Sequence, residues 1–304
     1  MSDSFRKILY SLFTMFLAVT AIFIVLRATP GDPVEKILGP EAKIEEIVKL
    51  RTQLGLDEPV IIQFKNYLVG MFSGDMGKSL FKNKDVTFLI KKHMGPTIVL
   101  AFVSVGLAMI LGTMLGIWAG FKKSGLFDNV SRIVSLVFLS FPIFSLAPIL
   151  VYIFAIKLNI LPVSEWGTLS QSILPIITLV IPLSAVLMRV SRNKLLEESG
   201  APWVQVLKSK GMTDVEILKR LTKVCMPTIL NVVAIQLSVV LAGTMITETI
   251  FDIPGMGLLL FEGIQNRDYP IVQGVIIYST VIYMGVYFIV DLVNAKIDPR
   301  IEGL

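Results

Sequence analysis

The hydrophobic positions of this chain collect into long runs instead of alternating with polar ones. Runs close to the ~20 residues that cross a bilayer occur at Ile8–Leu26, Thr97–Ala119, Ile133–Ile156, Ile173–Met188, Thr228–Thr247 and Ile271–Val290. With almost no charge inside them, they predict six membrane-spanning helices rather than the buried helices of a soluble core. The first run outlasts the about 7–15-residue apolar core of a cleavable signal, and Arg27-Ala28-Thr29-Pro30 is a poor cleavage site, so it reads as a retained helix. Pro142, Pro148, Pro175 and Pro182 interrupt the third and fourth runs. Broken helices survive in lipid where neighbours or water satisfy the freed carbonyls, which favours a path between these helices. Gly112, Gly116 and Gly120 recur at every fourth position and predict a smooth face for close helix packing.

Two polar stretches separate the runs. In the first, residues 27–95, Glu41–Leu54 puts Ile44, Ile47, Val48 and Leu54 on one helical face, with Gly55 as a stop. Pro59 opens a second helix with Val60, Phe64, Tyr67, Leu68 and Met71 along one stripe. This segment is a helical cap on the membrane domain, a platform for an external protein, or both. The second stretch, Arg189–Met226, carries Arg189, Arg192, Lys194, Lys208, Lys210, Lys219, Arg220 and Lys223. Each costs roughly 2.5–3.5 kcal/mol at a bilayer centre, so this stretch stands outside lipid. Pro202 can start a helix that Gly211 ends, and Thr213-Asp214-Val215-Glu216 reads as a capping box for another. The pattern predicts two short helices joined at Gly211, with Val204, Leu207, Val215, Leu218 and Thr222 near one stripe. A capped polar element on one side of a membrane is a docking surface for a soluble partner.

Composition agrees with a membrane protein: 54% of residues are hydrophobic and 17% charged, against about 25% charged in soluble domains. The net charge of +5 follows topology and not nucleic-acid binding. Arg6, Lys7, Lys122, Lys123, Arg132, the eight cations of Arg189–Met226, Lys296 and Arg300 fall on one side, whereas the opposite short loops hold Lys157 and Arg267. The positive-inside rule then puts both termini in the cytoplasm. One cysteine, Cys225, excludes an internal disulfide.

The stretch Trp203–Met212, with Pro227 beyond it, resembles the cytoplasmic loop of ABC-importer permeases, in which Gly211 and Pro227 match the glycine and distal proline of the family's loop motif. Gln205-Val206-Leu207 stand where Glu-Ala-Ala is the general pattern, which fits the peptide/nickel branch better. That branch is also resembled by Thr29-Pro30-Gly31-Asp32-Pro33, Leu54-Gly55-Leu56-Asp57 and Gly74-Asp75-Met76-Gly77-Lys78-Ser79. Further likeness lies in Glu248-Thr249-Ile250-Phe251, Pro254-Gly255-Met256-Gly257 and Arg267–Gly274, and it extends to Asp298-Pro299-Arg300.

The resemblance implies an all-α integral membrane protein with the six-helix type I ABC importer permease fold. Residues 1–95 would hold the first helix and external segment, 96–293 the permease core with its coupling loop at 189–226, and 294–304 a tail. The implied partners are a second permease subunit in a heterodimer, two cytoplasmic ATPases and an external solute-binding protein, in a bacterial or archaeal cell membrane. The chain would bind no cofactor, ATP and magnesium belonging to the ATPases. Trp203, Gln205, Lys208, Lys210, Gly211, Thr213, Asp214 and Glu216 become the ATPase-coupling candidates.

Other functions lack their chemistry. Gly77-Lys78-Ser79 has Phe72 where a phosphate-binding loop needs glycine. His93 is the one histidine and lies outside the spans, so an intramembrane enzyme lacks its catalytic groups. An ion-coupled transporter wants mid-membrane ionisable residues, but Asp291 and Glu248 sit at span ends. Among polar residues of the fifth run, Asn231 and Ser238 are as well explained by bonds between helices. Gln236, Thr244 and Glu248 are the pathway candidates. The branch carries peptides, glutathione-like compounds and nickel or other metal chelates, and the sequence does not separate them.

Overall fold

A computed structural model describes residues 3–29, 31–39, 41–242 and 244–297. Pro30 and Asp298-Pro299-Arg300 lie outside the described residues, as do the side chains of Arg6, Lys7, Asp291 and Lys296. Among the described residues the chain is helical, with one isolated bridge between Lys78 and Asp85. In chain order the helices are α1 (Asp3–Ala28), α2 (Pro33–Leu38), α3 (Ile44–Gln53), α4 (Val60–Ser73), α5 (Val86–Phe121), α6 (Leu126–Ser140) and α7 (Ile143–Leu150), the last continuing as a π-helix over Val151–Lys157. They are followed by α8 (Leu169–Ser199), α9 (Pro202–Ser209), α10 (Asp214–Leu241), α11 (Met245–Ile250), α12 (Met256–Gln265) and α13 (Tyr269–Ile297).

Among the described residues, α5, α8, α10 and the Tyr269–Val290 part of α13 are each long and apolar enough to cross a membrane. Leu12–Ala28 of α1 is a shorter apolar helix. One expectation holds and two change. The third run is broken at Pro142, as its prolines imply, and α6 and α7 meet at a bend of 100°. Phe141, which precedes Pro142, is pushed out of the helical region to φ −83°, ψ 117°, as the proline ring requires of its neighbour. The fourth run is unbroken: α8 carries Pro175 and Pro182 inside its 31 residues, held by packing against α6, α7 and α10. The polar stretch does not hold two short helices either. α8 reaches Ser199, and the capping box opens α10, which continues through Pro227 to Leu241.

The chain divides into two compact units, Met1–Thr97 with Pro254–Met284, and Ile98–Ile253 with Gly285–Leu304. In the first, the Asp32 side chain caps α2 at the Val34 N–H, 2.9 Å away, and pairs with Arg51. Gly55 takes φ +64° just after α3, a left-handed stop that glycine adopts without strain. The Arg27 guanidinium bonds the Gln63 Oε1 through Nε and Nη2 (3.0 and 2.9 Å) and covers the Phe23 ring. Phe23 in turn packs on Phe64 and Tyr67, which fastens α1 to α4. A core of Val86, Leu89, Ile90, Met256, Leu259, Ile271 and Val275 joins α5, α12 and α13. Beside it, buried Asp268 accepts from the Ser79 Oγ (2.5 Å), the Phe81 N–H (3.1 Å) and the Ile271 N–H (3.3 Å).

In the second unit α8 is the hub. Gly112, Gly116 and Gly120 lie against it so closely that a Cβ on Gly116 would stand 2.4 Å from the Met188 carbonyl oxygen, and one on Gly112 would stand 2.6 Å from that of Ser184. Asp128, buried at the start of α6, takes a two-pronged bond from Arg192 (Nε to Oδ1 2.5 Å, Nη2 to Oδ2 2.9 Å) and a third from the Ser124 N–H (3.0 Å). The Gln236 amide donates to the Leu183 carbonyl (3.0 Å), tying α10 to α8.

Gly116→Ala should lower stability by about 1–3 kcal/mol through overpacking, although alanine favours helix. Gly106→Ala, where nothing lies within 4 Å, should leave stability unchanged or raised. Thermal unfolding of the two variants in detergent, followed by size-exclusion chromatography, measures the difference.

Candidate functional site

The turn between α8 and α10 is built from local chemistry. Ala201 is extended (φ −69°, ψ 145°) and Pro202 occupies the first turn of α9, where its missing N–H costs nothing. At the other end Gly211 takes φ +76°. The Gly211 N–H then reaches the Lys208 carbonyl (2.9 Å) and the Met212 N–H reaches that of Leu207 (3.2 Å), the paired closure of a Schellman end. Next, the Thr213 N–H donates to the Glu216 Oε2 (2.8 Å), and the Glu216 N–H to the Thr213 hydroxyl (3.4 Å). Glu216 sits on the first turn of α10, outside the apolar stretch that begins at Thr228. The Thr213 backbone N–H, and after it the Thr213 hydroxyl, hold its carboxyl below its ordinary value. The box is therefore intact at neutral pH and loosens only as pH falls through that lowered value.

A proline start and a Schellman end leave α9 little freedom, and its underside fixes it further. Val204, Ile217, Leu221, Cys225 and Ile229 are buried in one core with Leu187 and Leu195 of α8, and Trp203, Leu207, Met212 and Leu218 pack against it. Val215 is 61% exposed and stands off the expected stripe. It lies about 200° around the helix from Ile217, so Ile217, Leu221 and Cys225 take the inner face. Of the coupling candidates, Gln205, Lys208, Lys210, Gly211, Thr213, Asp214 and Glu216 are exposed together, and Trp203 is half-buried. Trp203, Val206 and Leu207 with Arg220, Lys223 and Val224 line a groove of about 420 Å³, apolar inside and cationic at its rim. The arrangement offers a rigid polar surface with a recess and no nucleophile–base pair.

The pathway candidates fall elsewhere in the same unit. Gln236 is buried and bonded to Leu183, with its Oε1 lacking a partner among the described residues. Thr244 accepts the Glu248 N–H through its carbonyl (2.8 Å), and Glu248 is fully buried on α11, which packs on α7 and α8. Ser238 returns its hydroxyl to the Ala234 carbonyl of its own helix (2.8 Å). The unit thus encloses Gln236 and Glu248 instead of displaying them on an open face. Two stretches that carry the family likeness do meet, Ser79 bonding Asp268 across 189 positions.

The sequence reading missed the Asp128–Arg192 pair. Its one signal was a single acid in a loop otherwise marked by Lys122, Lys123 and Arg132.

Known proteins match both halves of the chain. The family described as "Binding-protein-dependent transport system inner membrane component" matches residues 112–303, and its N-terminal counterpart matches residues 4–84. The chain is 32% identical to the probable peptide ABC transporter permease protein y4tP of Sinorhizobium fredii, over 98% of each chain. It is 30% identical to the glutathione transport system permease protein GsiC of Escherichia coli, over 98% of this chain and 97% of that one. In fold it is similar to the inward-facing MetNI methionine ABC transporter, with a TM-score of 0.59 and 18% identity over 70% of this chain and 97% of that one. The chain belongs to the family of binding-protein-dependent transport system inner membrane components, the permeases of ABC importers.

Proposed function

We propose that this permease carries short peptides or peptide-like solutes inward and that α9 is where ATP hydrolysis acts on it. The observation that carries the reading is α9, opened by Pro202, closed at Gly211 and held over a shared core with α8 and α10, which with the capped start of α10 exposes Gln205, Lys208, Lys210, Thr213, Asp214 and Glu216. A floppy connection would dissipate a push; a capped helix seated on two long helices passes it on. The partner at this surface is a cytoplasmic ABC ATPase, one of two, which holds ATP and magnesium while this chain performs no hydrolysis. Trp203 seats the helix, Gly211 supplies its sharp end, and the exposed polar residues meet the ATPase. Both termini then lie in the cytoplasm, and a second permease subunit completes a heterodimer. An external binding protein delivers cargo to the opposite face.

Peptide cargo is supported by two of the relatives, one described as a probable peptide permease and the other as a glutathione permease, glutathione being itself a small peptide. Gln236, Thr244 and Glu248 border the path, with Gln236 holding α10 against α8. Reconstituting the chain with its second permease, ATPases and binding protein tests the reading. ATP-dependent uptake of a labelled dipeptide supports it, and uptake that persists without ATP overturns it.

Gly211→Pro imposes φ near −65° where the chain needs +76°. It should cut cargo-stimulated ATP hydrolysis by about tenfold or more, the equivalent of ~1.4 kcal/mol, while basal hydrolysis and membrane level persist. Thr213→Ala should do the same more mildly, since an N-cap contributes about 1 kcal/mol. Normal coupling in both would remove α9 from the role. Gln236→Leu deletes the bond to Leu183 and should slow uptake roughly five- to tenfold, as loss of a buried hydrogen bond implies. Unchanged uptake strikes Gln236 from the path.

A further inference from the structure

α6 packs on α8 with its polar side inward. The residues it buries are Asp128, Ser131 and Ser135, whose spacings of three and four put them on one helix face, whereas Leu126, Ile133, Leu136 and Val137 are exposed. The serines give that face little relief. They are small, and the Ser135 hydroxyl turns back to the Arg132 carbonyl of its own helix (3.0 Å). Smooth helix pairs slide in small shear steps, and lipid adds no hydrophobic force that would hold them in register. Among the described residues, the two-pronged bond from Arg192 to Asp128 is the one side-chain hydrogen-bonded link between α6 and α8.

The pair does more than join two helices. Asp128 also takes the Ser124 N–H (3.0 Å) and so holds the α5–α6 turn. Ser124 sits there at φ +64°, a left-handed conformation that a non-glycine residue keeps only where its surroundings impose it. Gly120 of α5 faces the same place, since a Cβ on it would stand 3.2 Å from the Arg192 carbonyl oxygen. From Arg192 the way to α9 is short: residues 193–199 are ~10 Å of helix at 1.5 Å each. Lys194 pairs with Glu197 and Glu198 on these last turns (3.0 and 2.8 Å). Leu195 shares a core with Val204 of α9 and with Ile217 and Leu221 of α10. At its other end α6 meets α7 at the 100° elbow, and α7 packs on α11, the helix that buries Glu248.

We propose that Asp128 and Arg192 are positioning residues of the transport cycle: their bond clamps the start of α6 to α8, so that a displacement of α9 moves both helices as one body and reaches α7 and α11 without slip. This rests on the reading of α9 as the element that ATP hydrolysis drives, and it adds the route by which that motion leaves α8. A buried ion pair gains little net stability over an apolar pair, and fixing register is its best-attested use.

Removing one partner strands the other charge and destabilises the chain for that reason alone, so the test removes both. Asp128→Leu combined with Arg192→Met leaves an apolar pair, an exchange that buried ion pairs commonly tolerate. In the full transporter in sealed vesicles, membrane level, thermal stability and basal ATP hydrolysis should stay near those of the parent. Cargo taken up per ATP hydrolysed should fall on the order of tenfold, within the usual range of coupling effects. Asp128→Cys with Arg192→Cys gives a second measurement that serves as its own control, with Cys225 fully buried as the baseline. Its uptake per ATP should be low, and a short bifunctional methanethiosulfonate joining the two cysteines should raise it severalfold. Parental uptake per ATP in either unbridged variant overturns the clamp and leaves the pair a matter of stability alone. A bridge that arrests uptake, or leaves it as low as before, overturns the clamp even where the apolar pair fails to assemble. Loss of ATP-dependent uptake by the unmodified chain defeats the importer reading separately.

Discussion

Much of the second unit depends on one approach of backbone to backbone, Gly116 of α5 against the Met188 carbonyl of α8, repeated one turn away by Gly112 against Ser184. Lipid offers helices no hydrophobic reason to associate, so close contact and hydrogen bonds must supply it. The glycines provide the contact. With α5 held this near, α8 can also receive the Arg192–Asp128 pair from α6 and the Gln236 amide from α10. α8 then emerges as the post to which the other helices are tied, and its far end leads into α9.

The tie at Asp128 has a particular character. An aspartate taken almost wholly out of water is expensive unless its charge is matched and its lone pairs are filled. Arg192 and the Ser124 N–H do both. The pair therefore adds definition more than net energy: it sets where α6 begins along α8, and with that the height of the elbow at Ser140.

What could be read from the chain in advance divides along the reach of the chemistry. The end of α9 at Gly211 and the box of Thr213 with Glu216 were legible, because those interactions close within a few residues. The family was legible for a different reason, several short stretches agreeing at once. Proline was read rightly at Pro142 and wrongly at Pro175 and Pro182. Pro142 ends a helix while Pro175 and Pro182 do not, and the difference lies in the packing around α8, which no local pattern encodes. The contacts that set positions span 64, 189 and 53 residues, Asp128 to Arg192, Ser79 to Asp268 and Leu183 to Gln236. The residues themselves can be marked in the sequence, but nothing in it says which of them pair, and the burial of Gln236 and Glu248 was hidden likewise.

The continuity of α10 has a mechanical consequence. Its 28 residues make a rod ~42 Å long at 1.5 Å per residue, with one end in the capped turn and the other at Leu241. A tilt of only about 5° at the turn would sweep the distant end through ~4 Å on that rise, comparable to the width of an extended peptide backbone. Pro227 falls halfway along, where a missing backbone bond makes a helix easiest to flex. Such a rod, pivoting at the capped turn, would turn a small tilt at one surface into an opening at the other, and flexing at Pro227 would shorten its arm and roughly halve the sweep.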